Sequence, residues 1–122
     1  MKKLVLVRAP GLSPEEAVRG DQAWNVSDLI ADGSFAPLSG APDLAALAGS
    51  LPGGEVTVID LPFRDSPSFD QALGKVREGS KGASIAIVSD SVFISQHFFP
   101  EIKPGTRVAP GDLPRLLAAM VR

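Results

Sequence analysis

Apolar residues in this chain come in short runs separated by proline, glycine and polar clusters, and the spacing within the runs changes from place to place. Leu4 to Val7 form a continuous, β-branched-rich run, which is how a strand covered on both faces reads. Ser13-Pro14-Glu15-Glu16 then offers an N-cap, a proline at the first helical position and a glutamate placed to close a capping box. A short helix or turn ending near Gly20 is predicted there. Within Asn25 to Asp32, Val26, Leu29 and Ile30 fall at helical spacing, with Gly33 where a left-handed C-cap residue is needed. Phe35 to Leu38 reads as a short extended piece. Pro42 and Asp43 open a helix with Leu44, Leu47 and Ala48 on one side, ending at Gly49.

Glu55 to Ile59 is the next predicted strand, bounded by Pro52-Gly53-Gly54 and by Asp60-Leu61-Pro62. Ser66-Pro67 starts the clearest helix, in which Phe69, Leu73 and Val76 share a face and Gly79 is the stop. Ala83 to Val88 is another buried-type strand, whereas Val92 to Phe99 is apolar and aromatic without a regular period. Thr106 to Ala109 can extend, and Asp112 is expected to cap a terminal helix with Leu113, Leu116, Leu117 and Met120 as its stripe. Pro114 lies in the first turn of that helix, where proline is tolerated. Alternation of strand and helix favours parallel pairing through crossover helices. The expected fold is a three-layer α/β/α sandwich around a mostly parallel, doubly wound sheet, in one domain spanning residues 1–122.

Composition narrows the function classes. With 122 residues, 44% of them apolar, the chain has material for one packed core. Its formal charge of -2 and scattered basic residues supply no cationic field for a polyanion, which argues against nucleic acid as a partner. No apolar run approaches the ~20 residues of a membrane span, and Arg8 interrupts the run that follows Lys2 and Lys3, so neither a membrane segment nor a signal peptide is expected. The absence of cysteine rules out disulfides, thiolate metal sites and cysteine nucleophiles, and a single histidine restricts imidazole chemistry. A cytoplasmic location is the expectation. No phosphate-loop or dinucleotide-binding glycine string occurs; Gly33, Gly49 and Gly79 read as helix ends.

Several segments resemble the alkaline phosphatase and nucleotide pyrophosphatase/phosphodiesterase superfamily in order and spacing. In that family the first strand runs into Asp-Gly, whose aspartate binds a metal; here the strand runs into Pro10-Gly11-Leu12. A helix ending in Leu-x-x-x-Gly, a nucleophile followed by Ala-Pro, and a helix leading to Thr-Gly and Pro-Gly are matched by Leu29 to Gly33, Ala41-Pro42, Ala48-Gly49 and Pro52-Gly53. Gly40 stands at the nucleophile's place. Neighbouring Ser39 is shifted by one residue, which on an extended chain turns the side chain elsewhere. The family's Ser-Asp-His-Gly, with both central residues on metal, is similar to Ser89-Asp90-Ser91-Val92. Ile102 to Arg107 and Leu113 to Leu117 resemble the closing strand and last helix, and His97 is the only candidate for a further family histidine. The resemblance implies Asp90 and His97 as vestigial metal ligands, no catalytic residue and no cofactor, because such hydrolases hold two cations on mixed aspartate and histidine ligands.

The same residues have plainer readings. Asp90, at the carboxyl edge of a predicted strand, is either a ligand contact or a cap on local amides. His97 is either a ligand or a ring satisfied by backbone. Asp60 pairs with Asp90 if their strands are adjacent, or simply ends a strand at a turn. Arg8 binds an anion at the sheet edge or forms a salt bridge with Asp60 or Asp90. Ser13 and Glu16 are capping residues, and Trp24 is a core or edge anchor. Val92, Phe93, Ile94, Phe98 and Phe99 either cover the sheet or form a homo-oligomer interface through the Val92–Phe99 region. The expected function is that of a non-catalytic, minimal phosphatase relative serving in binding or assembly. The alternative is a small hydrolase or anion-binding enzyme using Arg8, Ser39, Asp60 and Asp90.

Overall fold

A computed structural model describes residues 3–18, 34–51, 55–95 and 106–121. The elements in chain order are β1 (Lys3–Arg8), α1 (Pro14–Val18), β2 (Ser34–Pro37), α2 (Leu44–Ser50) and β3 (Glu55–Asp60). They continue with α3 (Ser66–Gly79), β4 (Ser84–Val88), β5 (Val92–Ser95), a 3-10 turn at Pro110–Asp112 and α4 (Leu113–Met120). The helix expected over Asn25 to Asp32, Trp24, His97, and Phe98 and Phe99 lie outside the described residues.

Among the described residues five strands form one open sheet in the order β2-β5-β4-β1-β3. β1 runs parallel to both β3 and β4, whereas β5 is antiparallel to β4 and β2 is antiparallel to β5. The sheet is therefore mixed, and the expectation of a mostly parallel sheet is corrected. The physical reason lies between β4 and β5, where only Ser89, Asp90 and Ser91 separate the strands. A parallel crossover needs a dozen or more residues, so the chain can only turn back on itself. Val92 to Ser95, read from sequence as lacking a regular period, is a buried strand.

Period-two alternation sorts the apolar strand residues into two clusters. Leu4 and Leu6 join Ala86, Val88 and Phe93 in one, completed by Leu44 and Leu47 of α2 and by Leu113, Leu116, Leu117 and Met120 of α4. Val5 and Val7 join Ile85, Ile87, Val92 and Ile94 in the other, with Ala17 of α1 and Phe69 and Leu73 of α3. The helical stripes anticipated for α3 and α4 are thus the faces that pack. Opposite charges mark both ends of the β1–β3 pairing, where Lys3 stands across from Glu55 and Arg8 across from Asp60. A slip by one residue would move every side chain to the wrong face and break both pairs.

The helix starts follow their capping chemistry. The Glu16 amide donates to Ser13 Oγ at 3.1 Å, the N-cap bond of a capping box, and the Ser13 hydroxyl donates to Glu16 Oε1 at 3.0 Å. Asp43 accepts from the Ala46 amide at 3.2 Å to start α2, and Asp65 accepts from the Ser68 amide at 2.8 Å to start α3. Asp112 differs from expectation. It is the last residue of the 3-10 turn, has helical backbone angles and makes no side-chain cap, so α4 is entered through a tightened turn.

Candidate functional site

Three connections converge at the carboxyl end of the parallel strands. After β1, the Leu12 amide donates to the Ala9 carbonyl at 3.2 Å, closing a turn with Pro10 and Gly11 at its centre. Gly11 has φ 87°, the left-handed region that the third position of such a turn requires and that glycine adopts without steric cost. After β3, the Leu61 amide donates to the Arg8 carbonyl at 2.8 Å and the Phe63 amide to the Pro10 carbonyl at 3.2 Å, holding that exit beside the first turn. After β4 comes the Ser89–Ser91 turn.

Ser89 organises this third connection. Its buried hydroxyl donates to the Leu12 carbonyl at 3.2 Å and accepts from the amides of Ser91 and Val92, each at 3.0 Å. The Ser89 amide donates to the Val92 carbonyl at 2.9 Å. One side chain therefore both shapes the β4–β5 turn and ties it to the turn after β1. Sequence reasoning missed this role, although a Ser-Asp-Ser cluster between two apolar runs is a hairpin signal.

Arg8 reaches across to Asp60, its Nε and Nη2 donating to the two carboxylate oxygens at 2.6 and 2.5 Å. This forked geometry settles which of its expected partners Arg8 has. The hydrogen bond from Arg8 holds the Asp60 carboxyl below its usual range against the opposing effect of desolvation, with the Arg8 charge adding to the lowering, and the same bond raises the Arg8 guanidinium. Both side chains are about half exposed, at 50% and 52%, so the pair orients groups more than it stabilises the fold. Asp60 and Asp90 do not form a carboxylate pair across adjacent strands, because β1 lies between β3 and β4.

Arg8 and Asp90 instead line one small cavity of about 180 Å³. Its other walls come from Pro10, the Ala41-Pro42 segment with Leu44, and Val88 with Ser89. The segments that carried the family resemblance after β1, around Ala41-Pro42 and after β4 thus meet in space. Asp90 is exposed at the tip of its turn and, among the described residues, accepts only a long contact from the Ser91 hydroxyl, at 3.4 Å. Ser39 is not part of this lining; its hydroxyl donates to the Val108 carbonyl at 3.4 Å. At Gly40, a Cβ would meet only Pro110 Cγ, at 3.7 Å, so neither strain nor crowding forces glycine there.

The donor set does not suit the paired cations of the family resemblance. The cavity offers one carboxylate, Asp90, beside a guanidinium that repels a divalent ion, and proline stands where the family's first aspartate would be. Among the described residues no three histidine, cysteine, aspartate or glutamate side chains gather into a cage. His97 lies outside those residues. No helix among the described residues is long and apolar enough to cross a membrane. No protein-family model matches the chain, and comparison with characterised proteins and with solved structures finds no significant similarity.

Proposed function

We propose that this chain is a shortened, degenerate relative of the alkaline phosphatase and nucleotide pyrophosphatase/phosphodiesterase superfamily, a single α/β/α three-layer domain that binds or assembles and does not turn over phosphoesters. The observation that carries the reading is the state of the carboxyl edge. Arg8 ties up Asp60, which leaves Asp90 as the one carboxylate on a cavity of about 180 Å³. Two-cation phosphoryl chemistry needs several anionic and imidazole ligands converging on one spot, and these walls supply proline, alanine, leucine and valine instead. The cavity is sized for a small group with a polar end, and Arg8, whose Nε and Nη2 are bonded to Asp60, is one of its lining residues.

The test is incubation of the protein with zinc or manganese and an aryl phosphate or bis-aryl phosphodiester. The expected result is no turnover above the metal-containing buffer. Turnover that Asp90→Ala or Ser39→Ala abolishes would overturn the proposal and favour a residual hydrolase.

A further inference from the structure

At the opposite end of the sheet from Arg8 and Asp90 lies a larger open groove of about 550 Å³. It runs between the edge strand β3 and the last turn of α3, with Thr57 and Ile59 on one side and Val76 and Gly79 on the other. Lys3, Lys75 and Lys81 border it against a single acid, Glu55. Lys3 is paired with Glu55 at 3.6 Å, while Lys75 and Lys81 make no ion pair with the described residues. A local excess of positive charge therefore sits on a chain whose net charge is -2.

The main chain beside this groove is open as well. Because the Leu61 amide donates to Arg8 of β1, strand alternation turns the main-chain groups of Thr57 and Ile59 toward β1 and those of Val56, Val58 and Asp60 outward. Among the described residues no further strand follows β3 in the sheet order. Val58 is 43% exposed and is the strongly exposed large apolar side chain among the described residues. Its face is the one opposite the groove. An occupant must thus satisfy outward amides and carbonyls, cover Val58 on one face, and present negative charge to Lys75 and Lys81 on the other.

We propose that β3 accepts an extended segment of a partner protein as a sixth strand, with alternating acidic and apolar side chains, the acids toward Lys75 and Lys81 and the apolar ones over Val58. Strand addition supplies affinity through the main chain and specificity through alternate side chains. A second copy of β3 fits less well. Its groove-side residues toward the Asp60 end are Ile59 and Leu61, which would bring no acid to the two lysines when paired antiparallel. The inference does not rest on the phosphatase reading, since the groove and the cavity share no lining residue.

The experiment uses a blocked, fluorescein-labelled peptide of alternating glutamate and valine, with a lysine and valine peptide as control, followed by anisotropy at low and high salt. The glutamate peptide should bind saturably and lose affinity with salt, and the double variant Lys75→Glu, Lys81→Glu should weaken it by about tenfold or more. Val58→Pro, which removes an outward amide from an edge strand, should weaken both the affinity and its salt response, with far-UV circular dichroism checking that the variant is folded. Equal binding of the two peptides, no binding of the glutamate peptide, or an unaffected charge-reversal variant would overturn the proposal. So would sedimentation showing a dimer that Val58→Pro dissociates, because the edge would then belong to a second copy. None of these outcomes bears on phosphoester turnover, so the two proposals fail separately.

Discussion

At one edge of the sheet β2 contains Phe35 and Ala36, both buried, and ends in Pro37. The chain around Val108 then closes over it: Val108 donates to the Pro37 carbonyl at 2.8 Å, and the Ser39 amide donates back to Val108 at 3.0 Å. Arg107 Nη1 adds a bond to the Leu38 carbonyl at 2.9 Å. At the other edge β3 has no fully buried residue, and among the described residues nothing pairs with its outer side. Judged by composition the order would be reversed. Glu55-Val56-Thr57-Val58-Ile59-Asp60 is rich in β-branched residues, while Ser34-Phe35-Ala36-Pro37 is a poor strand former. Strand propensity therefore states that a segment fits a pleated surface and does not state which neighbours it will have. An edge left open and apolar in a folded protein is a liability unless something covers it.

Substitutions can break this contrast, beginning with the deepest side chains. Phe93→Ala, on β5 inside the covered side of the sheet, should cost about 3 to 5 kcal/mol, whereas Val58→Ala on β3 should stay within about 0.5 kcal/mol. Both are read from urea unfolding midpoints; similar losses at the two positions would show that β3 is not an open edge. A smaller effect tests the turn that makes the sheet mixed. Ser89→Ala leaves the Ser91 and Val92 amides without their acceptor, and should cost about 1 to 3 kcal/mol in the same measurement.

The smallest effect belongs to the half-exposed ion pair that joins β1 to the open edge. The Asp60 carboxyl is held low by its hydrogen bond from Arg8, so its contribution is present above the ordinary aspartate range near ~4 and fades as pH falls through the lowered native value. Asp65, held low by the Ser68 amide and hydroxyl, titrates in the same direction. Asp60→Asn should therefore lower the melting temperature slightly at neutral pH, and the difference from the parent chain should disappear in acid. A difference that grew on acidification would contradict the geometry of the pair.

Much of the architecture was legible along the chain. The continuous apolar run at Leu4 to Val7, the stripe of Phe69 and Leu73 and that of Leu113, Leu116, Leu117 and Met120 all enter the core as their spacing implied. Ser13 caps α1 as read, its hydroxyl bonded to both the amide and the carboxylate of Glu16, because these partners lie within one helical turn. Val92, Phe93 and Ile94, weighed as a cover for the sheet or as an interface, fill the two sides of the core. At the carboxyl edge, the sequence offered Arg8 two acidic partners and could not choose between them. The choice followed from register, since pairing β1 directly with β3 set Arg8 opposite Asp60.

Local pattern by itself determined most of the segments that became strands and helices and which of their side chains avoid water, since these depend on neighbours a few residues away. It also determined, through its missing cysteines and scarce histidine, which ligands no fold of this chain can assemble. Only the tertiary structure decided strand order, the meeting of Arg8 and Asp90 on one cavity, and which edge remained open. Those properties depend on pairings between residues 52 to 82 positions apart, such as Arg8 with Asp60 and with Asp90. Such long-range contacts are selected by the packing of the whole core and leave no periodic trace in the residues that make them.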